Sequence, residues 1–279
     1  MPSLLCGQST TAREEGLRAI ALDVSGGSFG DSADDPRARA FDWLAVQDTG
    51  YLCPGGADDA SIRQRYTLAV LYYSFGGDGW TQCAASLSVP CNSARFLSSK
   101  SECTWSGVTC DNTNSVSQLN LDSNNLVGTI PREIGALHRL FELDLDANGL
   151  SGPIPTNIGQ LTDLVHLDLD ENNLTGTIPE EIYDLTLLRG LDLDTNQLTG
   201  TLSTKIGQLP DLYIGQFDLN QLTGTIPTEI ALLSSLAFFT MTGNNFTGTV
   251  PADICALQTV KFFAECNLCT TEFCCEDCD

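Results

Sequence analysis

Apolar positions over residues 119–262 recur in a 24-residue phrase that restarts, without insertion or deletion, at Leu119, Leu143, Leu167, Leu191, Gly215 and Phe239. Each copy opens on an apolar-x-apolar alternation suited to a short strand. It then passes through a turn and closes on apolar residues spaced for a helical or 3₁₀ return. One copy cannot bury its apolar side alone, so neighbours must stack and join their leucines into one core. The expected fold class is an α/β solenoid, right-handed, of six 24-residue coils with a parallel concave sheet and Cys-rich N- and C-caps.

The residues shared by all copies have mechanical roles. Asparagine holds the sixth position throughout (Asn124, Asn148, Asn172, Asn196, Asn220, Asn244). Its amide side chain can serve backbone N–H and C=O groups that a turn leaves unpaired. Glycine holds the tenth position, where positive φ or close backbone approach is needed. An Ile-Pro or Val-Pro pair then fixes an extended residue before the return segment. The fourth copy carries Leu202-Ser203 instead, which predicts a locally relaxed coil.

Ahead of the repeats, Ile62, Tyr66, Ala69, Val70 and Tyr73 recur at helical spacing and Gly76-Gly77 stops the helix. The expected organisation is an acidic N-terminal arm over residues 1–60 with a short helix near 36–46, and a helical, Cys-containing N-cap over 61–118. The repeats follow over 119–262 and a Cys-rich C-cap over 263–279. Ser25-Gly-Gly-Ser28 and the acidic Asp31 to Asp35 stretch give the arm a linker's composition.

The run Leu164 to Pro179 reads L-x-x-L-x-L-x-x-N-x-L-x-G-x-I-P and resembles the plant-type extracellular leucine-rich repeat. Cys103-Thr-Trp105-Ser-Gly107-Val108-Thr-Cys110 is similar to the N-terminal cap of those proteins. The leader from Phe41-Asp-Trp43-Leu44 through Gln64-Arg65-Tyr66 to Gly76-Gly-Asp78-Gly-Trp80 resembles that of diatom leucine-rich-repeat proteins. The resemblance implies a binding or receptor ectodomain and brings no catalytic residues with it.

Twelve cysteines, six before the regular coils and six at their end, suit disulfide-stapled caps in an oxidising compartment. The local pairings expected are Cys83 with Cys91 and Cys103 with Cys110. The spacing of Cys266, Cys269, Cys274, Cys275 and Cys278 also permits zinc, although adjacent Cys274 and Cys275 suit one tetrahedral ion poorly. Asn173-Leu-Thr175 and Asn245-Phe-Thr247 are N-glycosylation sequons, naming Asn173 and Asn245. Met1 to Gly7 lacks the basic and apolar stretches of an export signal, and no segment approaches the about 20 apolar residues of a spanning helix. An extracellular or cell-surface protein is still expected, with its leader or anchor outside this sequence.

Charge changes the picture most. On a strand of the form x-L-x-L-x the leucines point inward and their neighbours line the concave sheet. One column then reads Asn120, Asp144, Asp168, Asp192, Gln216, Thr240, and a second reads Asp122, Asp146, Asp170, Asp194, Asp218, Thr242. Two carboxylates at an inter-strand spacing of about 4.8 Å repel by roughly 0.9 kcal/mol in bulk water, and by several times that near a protein surface. The net charge of −23 argues against nucleic acid or an anionic membrane as partner.

Three uses of this face compete: a solvated surface that keeps the sheet soluble, a binding surface for cations, and catalysis by paired carboxylates. Catalysis lacks a cleft to exclude water and a Ser or Cys nucleophile beside His138 or His166, so no catalytic residue is named. The binding reading predicts capture of a protein, basic peptide, polyamine or Ca²⁺-bridged glycan. Its contacts would be Asp122, Asp144, Asp146, Asp168, Asp170, Asp192, Asp194 and Asp218, with His166 as a pH-sensitive contact and Phe238 as an apolar anchor. No cofactor is required, Ca²⁺ being the one ion that oxygen-only ligands suit. The alternatives are the ectodomain of a membrane-anchored signalling receptor and a cell-wall protein without a specific ligand.

Overall fold

The computed structural model describes residues 9–29, 32–48, 52–85, 91, 93–257, 260–264 and 266–269. Three helices open the chain: α1 (Thr10–Val24), α2 (Pro36–Asp42, continued by a π-turn over Trp43–Gln47) and α3 (Asp59–Ser74). Asp35 caps α2, accepting from the Arg37 amide at 2.8 Å, with Pro36 preset for the first turn. Gly76, at φ 65°, lets the chain leave α3. The linker expected over the arm is replaced in α1 by a packed helix: Leu17, Ile20 and Ala21 are buried, and the Ser25 hydroxyl meets the Tyr66 hydroxyl at 2.8 Å.

Fourteen strands follow among the described residues. The concave sheet takes β1 (Val108–Cys110), β2 (Val116–Asn120), β4 (Glu142–Asp144), β6 (His166–Asp168), β8 (Gly190–Asp192), β10 (Ile214–Gln216), β12 (Phe238–Thr240) and β14 (Lys261–Phe263). Only β1 runs antiparallel, closing the first edge against β2. A second parallel sheet, absent from the strand-turn-return expectation, takes β3 (Val127–Thr129), β5 (Gly149–Pro153), β7 (Asn173–Thr177), β9 (Gln197–Thr201), β11 (Gln221–Thr225) and β13 (Asn245–Thr247). One cluster of buried apolar side chains, from Leu17 to Leu268, runs through the helical cap and on between the sheets. This is the stacked solenoid that the 24-residue period requires.

The first five coils return through a short 3₁₀ turn, such as Thr156–Gln160 after Pro155, and the sixth through a short α-helix over Ala252–Cys255. Ser203 does not relax its coil, contrary to expectation. It keeps the extended conformation of the prolines (φ −73°, ψ 145°) and its hydroxyl accepts from the Lys205 amide, capping the turn as proline cannot. The asparagines form a continuous ladder. Asn172 accepts from the Leu150 amide of the preceding coil and donates to the carbonyls of Leu145, Leu169 and Asp170, and Asn196 and Asn220 repeat the pattern.

The cap seals the first coil. The Val127 amide donates to the Phe75 carbonyl at 3.1 Å, and a Cβ on Gly128 (φ 107°) would sit 2.2 Å from the Ser74 carbonyl oxygen, so only glycine lets α3 approach β3 this closely. Cys83–Cys91 and Cys103–Cys110 are disulfides, and Cys53, Cys255 and Cys269 are disulfide-bonded as well. Disulfide bonding removes Cys269 from any zinc set. Cys6, Cys274, Cys275 and Cys278, with most of the expected C-cap, lie outside the described residues. No described helix is long and apolar enough to cross a membrane.

Candidate functional site

The strands of the concave sheet pair in register: Gln118, Glu142, His166, Gly190, Ile214, Phe238 and Lys261 form one column, and Asn120, Asp144, Asp168, Asp192, Gln216 and Thr240 the next. The leucines between these positions are buried, so the two columns face outward on the same side. The second acidic column follows on the turn just past each strand. There the chain bends through a left-handed residue, Ala147, Glu171, Thr195 or Leu219.

The eight aspartates are not equivalent. Asp218 is consumed by the coil after it, accepting from the Thr242 amide at 2.6 Å and from the hydroxyls of Thr242 and Thr240. Asp122 lines a small recess of about 100 Å³ beneath the cap with Gln82, Ser106 and Asn120. The central coils carry the frustrated charge. Asp144, Asp168 and Asp192 each take a backbone amide two residues on, from Asp146, Asp170 and Asp194. Asn120 and Gln216 donate to the outer members Asp144 and Asp192. Asp146 and Asp170 each bury one carboxylate oxygen that has no hydrogen-bond partner.

Burial, and then the neighbouring carboxylates, push Asp144 up to about 6, Asp170 to about 7 and Asp192 to about 8, and raise Asp146 and Asp168 in the same direction. Asp168, Asp170 and Asp192 bring one carboxylate oxygen each to within 4.8 Å of one another. An all-oxygen set of this kind suits a hard cation or an organic ammonium or guanidinium group.

A hollow of about 470 Å³ opens above these carboxylates. Its origin is Gly190, which has no side chain where the neighbouring strands carry His166 and Ile214. Asp168, Asp192 and Gln216 also line it, and Arg189 and Tyr213 stand at its margin, both exposed. His166 lines the hollow from the cap side. Phe238 lies one strand beyond Ile214, its ring packed against Phe263 at 5.5 Å, and does not line it. Arg189 and Tyr213 escaped the sequence reading because they occupy a repeat position otherwise filled by Phe141, Val165 and Ala237. Aligning that position across the copies would have shown its change in chemistry.

The second sheet presents a different surface. Thr177 pairs with Thr199, Thr201 with Thr223 and Thr225 with Thr247, all exposed. The hydroxyls of Thr199, Thr223 and Thr247 donate to glycine carbonyls of the preceding coil. Asn173 and Asn245 begin β7 and β13 on this same surface, exposed.

The Leucine Rich Repeat family model matches residues 115–137, 139–161 and 163–185. No curated protein matches the chain. Among solved structures, the leucine-rich-repeat ectodomain of the receptor kinase SOBIR1 from Arabidopsis thaliana is 34% identical with a TM-score of 0.50, over 53% of this chain and 87% of that one. The Arabidopsis receptor kinase HAESA, solved with the peptide hormone IDA and the co-receptor SERK1, is 30% identical with a TM-score of 0.54, over 58% of this chain. The chain spans only 28% of HAESA. A plant ice-binding protein is 26% identical with a TM-score of 0.62, over 73% of this chain and 62% of that one. The family model that matches describes a repeat and names no enzyme family.

Proposed function

The chain belongs to the leucine-rich-repeat family, and from that membership we propose that it is an extracellular recognition module whose acidic concave sheet captures a cationic ligand, a basic peptide before all others. The observation that carries this is the register of the central coils. Desolvated carboxylates of Asp144, Asp168 and Asp192 stand side by side, Asp146 and Asp170 hold unpartnered oxygens beside them, and a ligand-sized hollow opens above. A merely solvated face would leave its carboxylates in water with ordinary affinities for protons. HAESA, bound to a peptide hormone, supports a peptide over a polyamine or a Ca²⁺-bridged glycan. Signalling would need a membrane anchor and an effector beyond these residues, and a receptor ectodomain is the form in which the module would serve it.

Calorimetric titration with an arginine-rich peptide, at about 0.05 M and 0.15 M salt, tests the reading. Binding is expected to saturate and to tighten from pH 5 to pH 8. Over that range Asp144, Asp170 and Asp192 lose protons that compete with the ligand. Replacing Asp146, Asp170 and Asp194 together by asparagine should weaken it at least about tenfold, which is about 1.4 kcal/mol. Weak association that moderate salt erases, indifferent to pH and to these substitutions, would leave the face a solubility device.

A second reading attaches to the other sheet. The paired, exposed threonines offer an array of hydroxyl and methyl groups, and the likeness to a plant ice-binding protein supports an ordered water surface as its occupant. Inhibition of ice recrystallisation, lost on replacing Thr201 and Thr223 by lysine, is the expected result. Equal ice growth with and without the protein removes this reading.

A further inference from the structure

We infer that the hollow at Gly190 is a specificity pocket for one arginine or lysine side chain of a peptide, and that Arg189 makes it select a peptide over a polyamine. The inference rests on the recognition reading above and names the ligand group at its centre.

The hollow is shaped for a side chain with a long apolar stem and a cationic tip. Ile214 supplies an apolar wall, the uncovered backbone at Gly190 a flat floor, and Tyr213, 55% exposed, a ring face against which a methylene stem or a guanidinium plane can lie. The tip then reaches Asp168 and Asp192, beside Asp170 with its unpartnered buried oxygen. A bidentate guanidinium adds a donor to the Asp168 oxygen that the Asp170 amide does not reach, and shares Asp192 with the Asp194 amide and Gln216. No ion pair occupies either aspartate among the described residues, although the chain forms ion pairs elsewhere, such as Arg139 with Asp163 at 2.6 Å.

Arg189 has the opposite consequence for a free polyamine. It stands at the margin of the hollow with no ion pair of its own among the described residues. Its cation repels a second ammonium group at the mouth, whereas its N–H groups can donate to the carbonyl oxygens of a peptide backbone. The pocket therefore favours a cationic side chain attached to a chain of acceptors. Elsewhere the acidic columns offer a polyamine carboxylates without this filter.

Gly190 provides a clean test. The three atoms nearest a Cβ there all belong to the His166 ring, Nδ1 closest at 2.8 Å, so a valine narrows the hollow once that ring turns aside and does not force the backbone. Three probes are titrated against the intact chain: a blocked hexapeptide with one central arginine, its citrulline counterpart, and spermine. The arginine peptide should bind at least about tenfold tighter than the citrulline peptide, and Gly190→Val should cost it at least about tenfold, while spermine changes less than about threefold. Arg189→Ala should weaken the arginine peptide and leave spermine equal or tighter. Far-ultraviolet circular dichroism of both variants must match the parent. If the arginine peptide binds but is indifferent to Gly190→Val, the pocket falls and face recognition stands. If neither the peptide nor spermine binds the parent, both fall.

Discussion

An Arg65→Leu variant unfolds at a free energy about 3–5 kcal/mol below the parent in urea, the cost of stranding a buried counter-charge. Arg65 sits midway along α3 with its side chain 3% exposed. Its guanidinium grips Asp48 with two bonds of 2.7 and 2.8 Å, reaches Glu102 at 3.1 Å, and donates to the carbonyls of Lys100 and Ser98. The Trp43 and Trp105 rings lie on it at 5.4 and 5.0 Å. Leucine fills the volume but leaves the carboxylates of Asp48 and Glu102 in an apolar cap without the cation that balances them. Replacing Asp48 by asparagine and Glu102 by glutamine in the leucine background should recover most of the loss, because neutral amides need no counter-charge. A loss below about 1 kcal/mol in the single variant would mean that water reaches the carboxylates. The consequence extends to the solenoid, whose terminal coils depend on their caps. Trp105 is buried among Phe96 and Trp43 over the first coil, so loosening it bares the leucine layer beginning at Leu119.

The coils were legible because their signal is local and repeated. The position of Asn196 in its phrase determines its partners, since the neighbouring coils carry the same phrase. The acidic columns followed by the same logic, as period two along a strand and period 24 along the chain suffice to stack Asp144, Asp168 and Asp192. What stayed hidden depends on partners remote in sequence. Arg65 reads as the polar face of α3 until Asp48 and Glu102 close on it from 17 and 37 residues away. Helix α1 buries only Leu17, Ile20 and Ala21, too sparse a stripe to stand out before α3 is in place. In β7, β9 and β11 the second sheet is written as Asn/Gln-Leu-Thr-Gly-Thr, whose glycine weakens a strand taken alone. Stacking supplies the pairing that propensity does not. The uneven demand on the aspartates was equally invisible, because the Thr240 and Thr242 hydroxyls and the Thr242 amide quench Asp218 only once the last coil has stacked on it.

Replacing Asn196 by alanine is expected to destabilise the chain by roughly 2–4 kcal/mol, since burying an orphaned donor or acceptor costs about 1–3 kcal/mol and several are created at once. Its Oδ1 accepts from the Leu174 amide at 2.9 Å, and its Nδ2 donates to the carbonyls of Leu169 at 2.9 Å, Leu193 at 3.3 Å and Asp194 at 2.9 Å. Two of these groups belong to the preceding coil, so the residue ties coil to coil. Alanine leaves the Leu174 N–H facing a dry interior. Asn244→Ala makes the comparison at the other end of the ladder, where the half-buried side chain serves Leu222, Phe217 and Met241. Water can re-enter there, and a smaller loss is expected. Hydrogen exchange on the Asn196 variant should show amides of the third and fourth coils opening first, with those of α3 retaining their protection, because neighbouring coils are the unit of coupling in a solenoid. The carbonyls of Leu169 and Asp194 also anchor the turns that carry Asp170 and Asp194, so basic-peptide affinity should fall with stability. Equal losses at Asn196 and Asn244, or exchange rising evenly along the chain, would show that the ladder is not what holds the acidic columns in line.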